Sequence, residues 1–124
     1  MIGYCTIGVN DMERATAFYD SLLGELGAKT LFDMGRIKGY GVGPGQPMLA
    51  ICIPYDEEAQ SPGNGNMVAI PAASEEQVGQ LHARALELGG TDEGAPGTRV
   101  PTFYGAYVRD LDGNKLCFFK MGAG

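Results

Sequence analysis

Few side chains in this 124-residue chain could do chemistry by type. They are the thiols of Cys5, Cys52 and Cys117, the single imidazole of His82, and the acidic turn Asp110-Leu111-Asp112-Gly113-Asn114. The three cysteines are an odd number, lie far apart and sit in apolar, strand-like runs. They read as buried, reduced thiols, and the absence of a CxxC pair leaves no zinc knuckle or thioredoxin-type site. A reactive Cys117 would need an exposed, electropositive setting, which Lys115 and Lys120 do not guarantee. His82 has no partner that would make a nucleophile–base pair, so it reads as a histidine on the flank of a helix. The acidic turn begins like a calcium loop but lacks the later ligands and the distal glutamate. Its carboxylates are expected to accept nearby backbone N–H bonds instead. The run Gly39-Tyr40-Gly41-Val42-Gly43-Pro44-Gly45 lacks the strand-then-helix context of a dinucleotide loop, and reads as turn and bulge glycines.

The elements that must carry these residues appear twice. Residues 3–9 form a strand candidate. Asn10-x-x-Glu13 gives a helix start, and Met12, Ala15, Phe18, Leu22 and Leu26 recur at helical spacing until Gly27. Strand candidates follow at 28–34, 37–43 and 47–54. The second half repeats the scheme with a strand at 66–72, a Ser74-x-x-Gln77 capping box, and an apolar face of Val78, Leu81, Ala85 and Leu88 that stops at Gly89-Gly90. Further strands are expected near 91–97, 102–109 and 114–120. The polar stretch 55–65 reads as a linker. The expectation is one domain over 1–124, with module one at 1–54, the linker at 55–65 and module two at 66–124. Its class is α+β: two βαβββ modules whose curved mixed sheet has helices on one face and a concave cleft on the other. The pattern alone does not choose this topology over a ferredoxin-like one.

Apolar content of 44% with 19% charged residues fits an ordinary globular protein. The formal net charge of -6, with the basic residues scattered, argues against nucleic acid or an anionic membrane surface as partner. The N-terminus has no basic-then-apolar leader pattern and no run reaches membrane-span length, so a cytoplasmic protein is expected.

The order and spacing of several motifs carry a resemblance. Val9-Asn10-Asp11, then Arg14-Ala15-x-x-Phe18-Tyr19-x-x-Leu22-Leu23, is similar to the opening of glyoxalase/bleomycin-resistance/dioxygenase proteins, the vicinal oxygen chelate (VOC) fold. Tyr104-Gly105-Ala106-Tyr107-x-Arg109-Asp110-x-Asp112-Gly113-Asn114-Lys115-Leu116 resembles their closing hairpin. Leu81-His82-Ala83-x-Ala85-Leu86-x-x-Gly89-Gly90 and Gly94-Ala95-Pro96-Gly97-x-Arg99 resemble the middle of their second module. The likeness spans essentially the whole chain. It implies the VOC fold, homodimerisation, and, in members that do chemistry, Fe, Mn, Ni or Zn held by His and Glu on the concave face. At the positions where the family pattern places those ligands, this chain has Tyr4, Met67 and Cys117, with Leu49 at the matching place of module one. That donor set does not suit a hard metal, so no metal ligand is assigned and no cofactor is expected.

Strand alternation gives the expected cleft lining: Tyr4, Thr6, Met67, Ala69, Cys117 and Phe119, with Leu49, Ile51, Tyr40 and Tyr104 added on weaker grounds. Such a lining suits a small apolar or aromatic molecule held by stacking and a few polar contacts. Three readings stay open. The first is a metal-free small-molecule-binding protein. The second is a VOC enzyme of the lactoylglutathione lyase or ring-cleaving dioxygenase kind, using a divalent Fe, Ni, Zn or Mn ion or Cys117. The third is a structural dimer whose cleft is filled by these same side chains.

Overall fold

A computed structural model describes residues 1–122. The chain divides into two compact units, Met1–Pro62 and Gly63–Gly124, and the boundary falls inside the polar stretch read as a linker. Both units have the βαβββ order. In the first, β1 (Tyr4–Gly8), α1 (Met12–Gly24), β2 (Lys29–Asp33), β3 (Ile37–Gly41) and β4 (Met48–Cys52) follow one another. In the second, β5 (Val68–Pro71), α2 (Glu75–Glu87), β6 (Thr91–Val100), β7 (Phe103–Arg109) and β8 (Lys115–Met121) do the same. The strands hydrogen-bond as two four-stranded mixed sheets, one per unit, with the same order: β1-β4-β3-β2 and β5-β8-β7-β6. In each, the first strand pairs in parallel with the last, and the other neighbours are antiparallel.

The helices start where side chains satisfy their free N–H groups. Asp11, not Asn10, caps α1, its Oδ1 accepting from Arg14 N at 3.0 Å. The expected start therefore moves on by one residue. Asn10 serves another end: its Oδ1 accepts from Gln60 N at 3.0 Å and ties the stretch after β4 back to the end of β1. The Ser74–Gln77 box forms as read. Ser74 Oγ accepts from Gln77 N at 3.0 Å, and Gln77 Oε1 accepts from Ala73 N at 2.7 Å. Each helix buries one stripe of side chains against its sheet. For α1 the stripe is Ala15, Phe18, Tyr19, Leu22 and Leu23, and for α2 it is Val78, Leu81, His82 and Ala85.

In unit one, the helix-side face of the sheet carries Tyr40, Leu49 and Ile51. In unit two it carries Val108, Leu116, Ala106 and Phe118, all fully buried. The three thiols are free and differ in burial: Cys117 is buried, Cys52 half-buried and Cys5 exposed. The expectation of burial is thus corrected for Cys5. It stands on β1, an edge strand of its sheet whose first three residues all face solvent. None of the described helices is long and apolar enough to cross a membrane.

Candidate functional site

Register decides which face each candidate residue occupies. In unit one, Tyr4 pairs with Met48 and Thr6 with Ala50, while Cys5 pairs with Leu49, and Leu49 in turn with Tyr40. Tyr40 points to α1. Its ring centroid lies 6.3 Å from that of Tyr19, and its hydroxyl donates to Asp20 Oδ1 at 2.8 Å. Partners across strands share a face, so Leu49 lies on the helix side too, and Ile51 with it. Tyr4 and Thr6 occupy the opposite face, and both are exposed. The placement expected for Tyr40, Leu49 and Ile51 is therefore corrected. The apolar run of β4 gave no alternation by which to choose its faces.

In unit two, His82 fixes the helix side. Its Nε2 lies 3.1 Å from Asp92 Oδ1, and Asp92 is in register with Val108, which pairs with Leu116. The opposite face then holds Ala69, Cys117 and Tyr107 in one cross-strand row, and Pro71, Phe119 and Gly105 in the next. The placement of Ala69, Cys117 and Phe119 away from the helix agrees with the strand alternation read from the sequence. Tyr104 pairs with Lys120 and falls on the other parity, so its expected placement is corrected as well. Met67 precedes β5 and is exposed.

The face of unit two opposite α2 carries the richest side-chain cluster among the candidates. Phe103 leans over Gly105, where any Cβ would stand 2.8 Å from the ring, and stacks on Phe119 with centroids 5.3 Å apart and planes 11° from parallel. One row along, the Tyr107 ring is approached by two cations. The Arg99 guanidinium carbon is 5.3 Å from its centroid and the Lys115 ammonium 5.4 Å. Tyr107 and Cys117 are cross-strand partners. Burial pushes the Cys117 thiol above its ordinary range, and the neighbouring Tyr107 and the two cations only partly oppose that. Cys117 is thus a protonated thiol at neutral pH and a poor nucleophile. Phe103, Tyr107, Arg99 and Lys115 were missed as site residues from the sequence. The alternation of Phe103, Gly105 and Tyr107 on β7 was the available signal.

The ligand positions implied by the resemblance do not fit a family-type metal. Leu49 has no donor atom and faces α1, Cys117 is held protonated, and Met is a ligand for soft ions. Among the described residues, no group of three or more His, Cys, Asp or Glu side chains is arranged to hold a metal ion. The acidic turn is internally satisfied. Asp110 Oδ1 accepts from Asp112 N and Asn114 N, both at 2.9 Å, and Oδ2 accepts from Asn114 Nδ2 at 3.0 Å. Those carboxylate oxygens organise the β7–β8 turn, which is the role read from the sequence.

A family model described as Glyoxalase/Bleomycin resistance protein/Dioxygenase superfamily matches residues 1–118, and the chain belongs to that superfamily. Its structure is similar to a glyoxalase/bleomycin resistance protein from Albidiferax ferrireducens T118. That protein is 36% identical, with 97% of this chain and 98% of that chain covered and a TM-score of 0.86. It is also similar in fold to a glyoxalase-related enzyme from Fulvimarina pelagi, at 20% identity over 97% of this chain and 87% of that one, TM-score 0.77. A lactoylglutathione lyase from Agrobacterium tumefaciens shares the fold too, at 20% identity over 97% and 92% of the two chains, TM-score 0.70. No curated protein matches the chain.

Proposed function

We propose that this protein binds a small, flat apolar or aromatic molecule without a metal ion, on the sheet face opposite α2. The observation that carries the reading is the stacked Phe103–Phe119 pair beside Tyr107, on a face where Ala69 remains open to solvent. An aromatic platform of this kind gives stacking area with few rotamers to freeze. The donor chemistry at Tyr4, Met67 and Cys117 supports the metal-free part of the reading. The printed description of the 36%-identical relative includes bleomycin resistance, which is compatible with a binding role.

Two measurements test this. Elemental analysis of the purified protein, with titration of Fe(II), Ni(II), Zn(II) and Mn(II), is expected to find no stoichiometric tight metal; one tightly held ion per chain would overturn the metal-free reading. Thermal-shift screening of aromatic compounds is expected to find stabilising ligands whose effect is lost in Phe119→Ala and kept in Lys120→Ala, on the opposite face. Ligands that stabilise both variants equally would place binding elsewhere.

A further inference from the structure

Among the described residues, Tyr107 is approached by two cations, whereas Tyr40 and Tyr55 have one each, Lys38 and Arg36. Lys38 has Asp20 at 3.7 Å, Arg84 has Glu87 at 3.5 Å, and Arg109 donates to Glu93 at 2.5 Å. Arg99 and Lys115 have no carboxylate partner among the described residues, although the chain is acidic overall. They reach the same ring from the strands on either side of it, β6 and β8. Two like charges brought to one ring repel each other, and the ring's quadrupole offsets only part of that cost.

Arg99 is also held in place. Its Nη2 donates to Ala95 O at 2.5 Å, which leaves other guanidinium N–H groups free to donate. Its head group lies against two glycines: a Cβ on Gly97 would stand 3.0 Å from Nη1, and one on Gly94 3.2 Å from Nη2. A side chain at either position would make the guanidinium shift slightly, so the two glycines leave it room. The aromatic pair Phe103–Phe119 stands one row along the same face, a step of about 6.8 Å for two strand residues.

We infer that Arg99 and Lys115, with the Tyr107 ring between their strands, form the anion-reading end of the site, and that its ligand is a small aromatic acid whose carboxylate they hold while its ring stacks beside Phe103 and Phe119. This rests on the binding reading above and specifies the ligand's class. A fork of guanidinium N–H groups matches a carboxylate in geometry, and the ammonium adds a second charge-assisted bond.

The test uses the intact protein and two probes of one shape, cinnamate and its neutral amide cinnamamide, followed by isothermal titration in low and high salt. Cinnamate is expected to bind about tenfold or more tighter than cinnamamide, a gap of about 1.4 kcal/mol per decade, and to weaken with added salt. Arg99→Ala and Lys115→Ala should each cut cinnamate affinity by about tenfold and leave cinnamamide unchanged. Lys120→Ala, which removes a cation of the other parity, should leave both unchanged. Equal affinity for the two probes, or no loss in Arg99→Ala and Lys115→Ala, overturns the anion assignment and leaves the binding reading standing. Failure of cinnamate to bind at millimolar concentration also overturns the assignment. Loss of binding for both probes and for all aromatic compounds in the thermal screen removes the binding reading with it.

Discussion

Tyr40 and Cys117 show how position converts side-chain type into behaviour. Tyr40 looked like a cleft aromatic among glycines, yet its ring packs on Tyr19 and its hydroxyl donates to Asp20. Burial first, and the Asp20 carboxylate second, push its phenol well above the usual tyrosine range. The folded state therefore favours the neutral phenol. The associated stability is whole below about pH 10, the unfolded value, and is lost progressively as pH rises beyond it. Tyr40→Phe is expected to cost about 1 kcal/mol at neutral pH through the lost hydrogen bond and to reduce the loss of stability above pH 10. Urea denaturation at pH 7 and 10.5 measures both effects. Burial pushes both the Cys5 and the Cys117 thiol up, so exposure separates them: buried Cys117 should resist iodoacetamide in the native state while exposed Cys5 reacts, with mass spectrometry counting the adducts. The face of Tyr40 was not legible in the sequence because antiparallel register, not residue type, sets it. Leu49 was illegible for the same reason. Its strand, Met48-Leu49-Ala50-Ile51-Cys52, is apolar at every position, and only pairing with Cys5 and Tyr40 reveals its side.

At the scale of elements, local chemistry was the readable part. The Ser74–Gln77 box, the helical apolar spacings and the satisfied Asp110–Asn114 turn all act through residues within a few positions of each other, so the chain displays them directly. Ser74→Ala should cost about 1 kcal/mol of stability by freeing an N–H at the start of α2, read as a lowered denaturation midpoint. Asp110→Ala should cost about 2 kcal/mol because two backbone N–H groups and the Asn114 amide lose a charged acceptor. Less readable was the role of Gly105. It looked like a motif residue, and its role emerges only once Phe103 is seen lying across it. Gly105→Ala should expel that ring from its stack on Phe119. A melting temperature lowered by a strain of about 1–3 kcal/mol, together with loss of aromatic-ligand binding, would register the displacement.

For the whole molecule, the twofold reading of the sequence holds because each unit repeats a side-chain-capped helix and the same strand count, and the strand orders agree. The clustering of Arg99, Lys115 and Tyr107 was hidden, since it joins three strands through a register that includes irregularities within β6. After β4, residues 55–66 lie outside any strand or helix and, apart from half-buried Gln60, are exposed. Arg36 covers one side of the Tyr55 ring at 5.3 Å, yet that residue is 88% exposed. Brief chymotrypsin digestion should therefore cut after Tyr55 before it cuts at Tyr40 or Phe118, giving two large fragments on a gel.

The parallel pairing of first and last strands has a consequence for synthesis. As the chain leaves the ribosome, the Tyr4–Gly8 strand emerges early, but its partner Met48–Cys52 arrives only about forty residues later. Until then the nascent first unit has a helix and a hairpin but an unzipped edge. The same delay recurs while Val68–Pro71 waits for Lys115–Met121. Each half thus passes through its most adhesive stage just before it closes. Translation slowed before Met48–Cys52 has cleared the ribosome would lengthen the first of those exposures, whereas a pause after it has cleared, and before the last strand is made, would give the first unit time to close ahead of the second.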